Sequence, residues 1–236
     1  MQQEIAPGIY DCRIRTGLAR ESAPGQFIAY PRDKSTLLPR PISICEVNKE
    51  EETLRIVYRV AGKGTAEFSG YRAGDTMDIL GVLGNGFPLD KVNKDQTAFL
   101  MGGGIGVPPI LELAKQLDCN KKIIVGYRDS SCFLREDFEK NGDLYIATED
   151  GSVGTAGNVM DAIRENALKA DIIYACGPMP MLRAIKAYAL EADIPAYNAL
   201  VLDGERNRWW GYDDVGGLGG PVTERSFFAV AKRDFE

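Results

Sequence analysis

Arginine, serine and glycine at particular spacings are the residues of this chain that could handle a phosphorylated ligand. Arg40-Pro41-Ile42-Ser43 sets a guanidinium three residues before a hydroxyl. A guanidinium can grip two phosphate oxygens through parallel hydrogen bonds, and the hydroxyl would sit deeper in the same site. Val57-Tyr58-Arg59 adds a second arginine and a ring able to stack. Gly64-Thr65 stands at the expected start of a short helix, where the first amides have no intrahelical acceptor. Gly102-Gly103-Gly104-Ile105-Gly106-Val107-Pro108 follows an apolar run and precedes a helical pattern. Small residues there would let the backbone and the first helical amides approach an anion. The same residues would equally make a tight strand-to-helix turn. Cys176-Gly177-Pro178 ends another apolar run, and its cysteine fits a small buried hydrophobe as readily as a functional thiol. Singly, each group also fits a plain strand or a solvated charge. Together they fit a dinucleotide site.

One absence narrows the chemistry. The 236 residues include no histidine. Ser–His and Cys–His nucleophile pairs, His-ligated zinc or haem, and imidazole proton transfer are excluded. The cysteines, at 12, 45, 119, 132 and 176, form no Cys-x-x-Cys pair, so no metal framework is expected. With 28 Lys+Arg against 34 Asp+Glu the formal charge is −6, which argues against nucleic-acid binding and attraction to anionic membranes. The first residues show no basic segment leading into an apolar run, so no signal peptide is expected. No apolar run reaches the roughly 18 residues of a membrane span. Scattered thiols in such an acidic chain point to the cytoplasm.

These residues need a frame. Over 1–92, short runs of alternating polarity at 8–15, 26–30, 42–47, 54–60 and 76–80 are separated by turn residues. Closely spaced short strands predict a barrel or sandwich, with a short helix over about 65–69. From 93 the period changes. Apolar runs at 96–101, 122–127, 143–148 and 171–176 alternate with helical patterns at 108–117, 158–167 and 179–192. That alternation predicts a parallel sheet covered on both faces, with ligands at the carboxyl ends of its strands. The boundary falls at 91–95, giving units of 1–92 and 93–195. Beyond it, 197–202 reads as a last strand, and the glycine- and charge-rich remainder to 236 is expected to be a loose tail.

Arg40-Pro41-Ile42-Ser43, Tyr58-Arg59-Val60, Gly62-Lys63-Gly64-Thr65, Leu83-Gly84-Asn85-Gly86-Phe87, the stretch 102–109 and Cys176-Gly177-Pro178 occur in a recognisable order. In these motifs the chain resembles the ferredoxin–NADP reductase superfamily. Within it, the chain is most similar to the electron transfer subunits of NAD-dependent dihydroorotate dehydrogenase B, over roughly 5–197. The resemblance implies an antiparallel FAD-binding β-barrel followed by a Rossmann-like parallel α/β domain that binds NAD. It implies that Arg40, with Pro41 and Ile42, contacts FAD at its diphosphate and that Ser43 approaches the flavin N5 edge. Val57, Tyr58 and Arg59 would line FAD, and Gly64 and Thr65 would cap its diphosphate. Gly102, Gly103, Gly104 and Gly106 would form the nicotinamide-dinucleotide turn. Cys176, followed by Gly177 and Pro178, would lie near the nicotinamide. Ser43 and Cys176 are thus the candidate catalytic residues. Hydride exchange between two cofactors needs no imidazole, which accommodates the missing histidine. Arg128-Asp129 leaves NAD against NADP open, and the resemblance favours NAD.

The resemblance also implies a hetero-oligomer with a catalytic FMN subunit. Electrons would run from it through a 2Fe-2S cluster to FAD and NAD, in pyrimidine (UMP) biosynthesis. Here the chain departs from the pattern. Family members carry four cluster cysteines just after the position of Ala196-Tyr197, and 198–236 contains none. The cluster is therefore not supported by this sequence. The tail from 196 to 236 is expected to be foreign to the family, through a frame change or gene rearrangement, with transfer to the partner impaired. Two other functions fit the residues. One is a stand-alone NAD(P)H:flavin or ferredoxin-type reductase, which needs no cluster. The other is a non-catalytic docking or degenerate product that binds neither cofactor.

Overall fold

The structure, a computed structural model, describes residues 1–30 and 39–198. Its first sheet holds β1 (Gln2–Ala6), β2 (Ile9–Arg15), β3 (Phe27–Tyr30), β4 (Arg40–Asn48), β5 (Thr53–Arg59) and β6 (Leu80–Leu83). The order is β1-β2-β5-β4-β3-β6, with antiparallel neighbours throughout. A short helix, α1 (Lys63–Phe68), follows β5. Alternation along the strands assigns the two faces. Cys12, Ile14, Ile42, Ile44, Leu54, Ile56 and Tyr58 turn inward and pack with Phe68 of α1 into the barrel interior. Ile9, Cys45 and Val57 turn outward and join a different core.

That second core belongs to a parallel sheet. Its strands are β7 (Thr97–Gly103), β8 (Asn120–Tyr127), β9 (Asp143–Thr148), β10 (Thr155–Ala156), β11 (Ile172–Cys176) and β12 (Ala196–Asn198). They lie in the order β10-β9-β8-β7-β11-β12. The helices are α2 (Pro108–Gln116), α3 (Arg135–Glu139), α4 (Val159–Glu165) and α5 (Met179–Ala192). One face of the sheet, with Phe99, Met101, Ile124 and Ile173, packs on Met160 and Ile163 of α4 and Ile185 and Ala189 of α5. The other face, with Leu100, Ile123, Val125 and Tyr174, packs on Ile110, Leu111 and Leu113 of α2 and Phe138 of α3. This last cluster runs on to Ile9, Cys45 and Val57, so one apolar core joins the outer face of the barrel to the parallel sheet. Burial on both faces explains why β7, β8 and β11 read as continuous apolar runs.

The elements differ from the sequence expectation in a few places. The expected strand at 76–80 is displaced to β6 at Leu80–Leu83. β1 was not expected, because its half-exposed polar residues carry no apolar alternation. α3 has five residues, too few to show a helical period. β7 runs two residues past the expected run, through Gly102 and Gly103, so the turn before α2 is Gly104–Gly106. The expected last strand is seen as Ala196–Asn198, and its continuation and the tail expected beyond it lie outside the described residues. No helix among the described residues is long and apolar enough to cross a membrane.

Candidate functional site

Arg40 opens β4 opposite Tyr30 of β3. Its side chain crosses the first turn of α1, where a Cβ on Gly64 would meet the guanidinium Nε at 2.9 Å. Glycine at 64 is what permits that approach. Thr65 builds the turn itself. Its hydroxyl accepts from the Ala61 and Gly62 amides at 2.9 and 3.2 Å and donates to the Gly62 carbonyl at 3.0 Å. Arg40, Gly64 and Thr65, distant in sequence, therefore meet where a guanidinium and helix-terminal amides are side by side.

Further along β4, Pro41 is half-buried against Ala29, and Ile42 belongs to the barrel interior. Ser43 stands opposite Phe27, half-buried, and alternation places it on the outward face with Cys45. On β5 the outward residues are Arg55, Val57 and Arg59. Val57 is buried in the shared core and Arg59 is exposed at the strand end. Tyr58 points the other way. Its ring stacks on Phe68 at 4.5 Å and on Tyr10 at 5.7 Å, and its hydroxyl donates to Gln2 at 2.7 Å. Burial raises its phenol above the ordinary range.

The glycine-rich segment meets this face. Gly102 lies opposite Cys176 in the β7–β11 ladder, so the two strand ends are neighbours. The turn Gly104–Gly106 packs against β5. A Cβ on Gly106 would collide with the Cys176 carbonyl and lie 2.7 Å from the Gly177 Cα. Gly103 and Gly177 both back onto Met181 of α5, and the Pro178 carbonyl accepts from the Leu182 amide at 3.1 Å. Gly104 is different. It is exposed, has φ +53°, and nothing lies within 4 Å of where its Cβ would be.

Two features correct the sequence expectation. The first amides of α2 cannot cradle a phosphate. Its first two residues, Pro108 and Pro109, have no N–H, while the Val107 and Ile110 amides donate to the Gly104 and Val107 carbonyls at 3.2 and 3.1 Å. The turn offers room at Gly104 rather than a ring of helix donors. The Cys176 thiol has no exposed surface, and burial pushes its pKa up. In this arrangement it is a neutral apolar group beneath the strand ends.

One cluster was missed from the sequence. Arg55 donates from Nε to both Asp11 oxygens at 3.1 Å and from Nη2 to Asp11 at 2.8 Å. Its Nη1 donates to Glu46 at 3.1 Å and to Asp137 of α3 at 3.0 Å. Lys115 of α2 donates to Glu46 at 2.7 Å. Burial opposes the Arg55 charge, but the Asp11 hydrogen bonds and the surrounding negative groups together outweigh it and raise its pKa. Charged residues inside otherwise apolar strands were the visible signal; their partners were not.

Among the described residues no group of three His, Cys, Asp or Glu is arranged to bind a metal ion. The cysteines are all free thiols, and 198–236 contains none. The 2Fe-2S group implied by the resemblance therefore does not fit the residues present.

No protein-family model matches the chain. Curated relatives do. The chain is 44% identical over 191 residues to the dihydroorotate dehydrogenase B (NAD(+)) electron transfer subunit of Geobacillus kaustophilus, covering 78% of this chain and 74% of that protein. It is 39% identical over 198 residues to the subunit of the same name from Lysinibacillus sphaericus, covering 81% and 77%. Among solved structures, an NADH-dependent reduced ferredoxin-NADP oxidoreductase superposes with TM-score 0.75 at 26% identity, covering 88% of this chain and 78% of that one. A ferredoxin NADP+ reductase from Neisseria gonorrhoeae shares the fold, with TM-score 0.65 at 16% identity over 88% of this chain and 91% of that one. With a barrel, a parallel sheet and this level of identity in common, the chain belongs to the family of electron transfer subunits of dihydroorotate dehydrogenase B (NAD(+)).

Proposed function

We propose that this chain binds FAD on the outward face of its barrel and NAD at the carboxyl ends of its parallel strands. In this reading it passes electrons between NAD and the FMN-containing catalytic subunit of dihydroorotate dehydrogenase, in pyrimidine (UMP) synthesis. The observation that carries it is Arg40 lying across Gly64 at the start of α1. A fixed cation beside helix-terminal amides suits the two negative groups of a diphosphate. FAD would fall in the unit 1–92 and NAD in the unit 93–195.

The residues take distinct parts. Arg40, Gly64 and Thr65 hold the diphosphate, with Pro41 and Ile42 setting the strand that carries Arg40. Ser43 offers a hydroxyl to the flavin edge from a half-buried position. Val57, buried in the shared core, is part of the apolar wall behind the site, and Arg59 offers an exposed cation. Tyr58 supports that wall from behind, through Phe68 and Tyr10. Gly102, Gly103, Gly106, Gly177 and Pro178 let two strand ends and α5 close together, while Gly104 leaves space for the dinucleotide. Cys176 shapes the floor and exchanges no proton. Bound flavin would supply the two-electron chemistry with nicotinamide, and the chain would supply position and exclusion of water. Asp129, two residues past the end of β8, is held ionised by the Ser131 amide. Its charge disfavours a 2′-phosphate, which favours NAD over NADP.

No transfer step is assigned to an iron–sulfur cluster. The missing cysteines favour a second reading, a stand-alone NAD(P)H:flavin or ferredoxin-type reductase. The discriminating measurement is NADH oxidation with and without the catalytic subunit. Stimulation by dihydroorotate dehydrogenase favours the first reading, and dye or free-flavin reduction indifferent to it favours the second.

The test of cofactor binding is direct. Protein reconstituted with FAD should be yellow and should bleach with NADH under anaerobic conditions. Arg40→Gln should weaken FAD binding by about 10- to 100-fold, the worth of a charge-assisted hydrogen bond. Iron and acid-labile sulfide should be absent. Protein that stays colourless after reconstitution sinks the FAD reading.

A further inference from the structure

We infer that Arg55 is a positioning residue: by tying β5 to α3 directly, and to α2 through Glu46, it sets how the glycine turn stands against the outward face at Val57. The inference rests on the FAD and NAD reading above and deepens it. β5 presents Arg55, Val57 and Arg59 on one face, and successive same-face residues are about 7 Å apart. The anchor of the interface is thus one step from Val57, which is buried in the core that joins the two units. The same strand is packed by the turn Gly104–Gly106.

Arg55 is only 9% exposed, at the junction of the two sheets. Its fork is shared between the barrel and the parallel domain. Nε and Nη2 hold Asp11 of β2, and Nη1 holds both Glu46 of β4 and Asp137 of α3. Two more bonds cross the junction. Lys115 of α2 reaches Glu46 at 2.7 Å, and Glu112 of α2 accepts from the Val47 amide of β4 at 2.8 Å. The surrounding apolar core holds the two units together without fixing the direction of any one contact. The guanidinium fork fixes directions as well as distances, and a lysine could not reproduce it. Without Arg55, the carboxylates of Asp11, Glu46 and Asp137 would face one another at a largely buried junction. The consequence for chemistry is steep, because a displacement of about 1 Å between reacting groups costs on the order of 100-fold in rate.

The test compares FAD-loaded wild type with Asp137→Asn, Asp137→Glu and Arg55→Lys. Asp137→Asn weakens one bond across the junction, from a side chain that is 35% exposed, and tolerates folding best. Anaerobic stopped-flow bleaching is measured per bound flavin against NADH concentration, beside FAD affinity and Tm. The expected result is a fall of about tenfold in the saturating bleaching rate for Asp137→Asn and Arg55→Lys. The half-saturating NADH concentration and FAD affinity should change less than threefold, and Asp137→Glu should recover part of the rate. A merely structural role would lower Tm and flavin occupancy and leave the rate per flavin alone. That outcome in both variants overturns the inference while the wild type still bleaches. A wild type that takes no FAD, or is not bleached, overturns the underlying reading and this inference with it.

Discussion

Gly104 and Gly106 stand two residues apart and answer to different constraints. Gly106 has no room, since a methyl group would enter the Cys176 backbone. Gly104 has room but a left-handed backbone at φ +53°. Gly106→Ala should therefore cost about 3 kcal/mol or more, at the upper end of overpacking. Gly104→Ala should cost about 1–2 kcal/mol, the strain of a side chain in that conformation, and Gly104→Asn less. Thermal denaturation measures all three, and equal losses at both positions would refute the distinction. NADH titration should show the opposite order, with Gly104 variants weakened although they fold. At this scale the sequence was partly readable. Glycine runs announce a turn, but not which glycine serves packing and which leaves a gap. Cys176 shows the same limit. Its place at a strand end was legible from the apolar run, whereas the choice between buried hydrophobe and functional thiol depends on α2 and the barrel, which no local pattern reports.

Strands and helices with a strong local period were legible, and those held by distant partners were not. α5 matches the expected 179–192, because its apolar residues recur on one face and an αL residue, Asp193, closes it. α2 is equally clear, opened by Pro108 and packed by Ile110, Leu111 and Leu113. β1 and α3 escaped because one pairs along a single edge and the other is a bare turn and a half. α2 also carries a polar residue on its buried side. Glu112 is 4% exposed and spans the junction, accepting from the Val47 amide at 2.8 Å and from Gln116 at 2.6 Å. Reading an acidic residue in an apolar helical pattern as solvated would have been wrong, since its acceptor role depends on β4. Glu112→Ala should leave a buried amide without its partner and cost about 1–3 kcal/mol. Urea denaturation should show it as a lower midpoint at unchanged slope, and no change in midpoint would remove Glu112 from the junction.

Over the whole molecule, one core unites the outward barrel face with the parallel sheet, and several thiols and phenols are buried there or in the barrel interior. Burial raises the Cys12 thiol to about 11 from its ordinary 9.0, and it also raises Cys45, Cys176, Tyr58, Tyr127 and Tyr174. Each of these groups holds its proton more tightly folded than unfolded. The linkage sign follows. The stabilisation is fully present below the unfolded pKa, near 9 for thiols, and is lost as pH rises through the folded value. Cys12 alone would remove about 3 kcal/mol by the end of its window. The absent histidine completes the profile, because no imidazole changes charge between pH 6 and 8. Tm should thus stay level from pH 6 to 8 and fall progressively from about pH 9 to 11. Cys12→Ala should flatten the first part of that fall. Scanning calorimetry at constant ionic strength measures both curves. A decline already present between pH 6 and 8, or a level Tm up to pH 11, would show that these buried groups do not govern the alkaline limit.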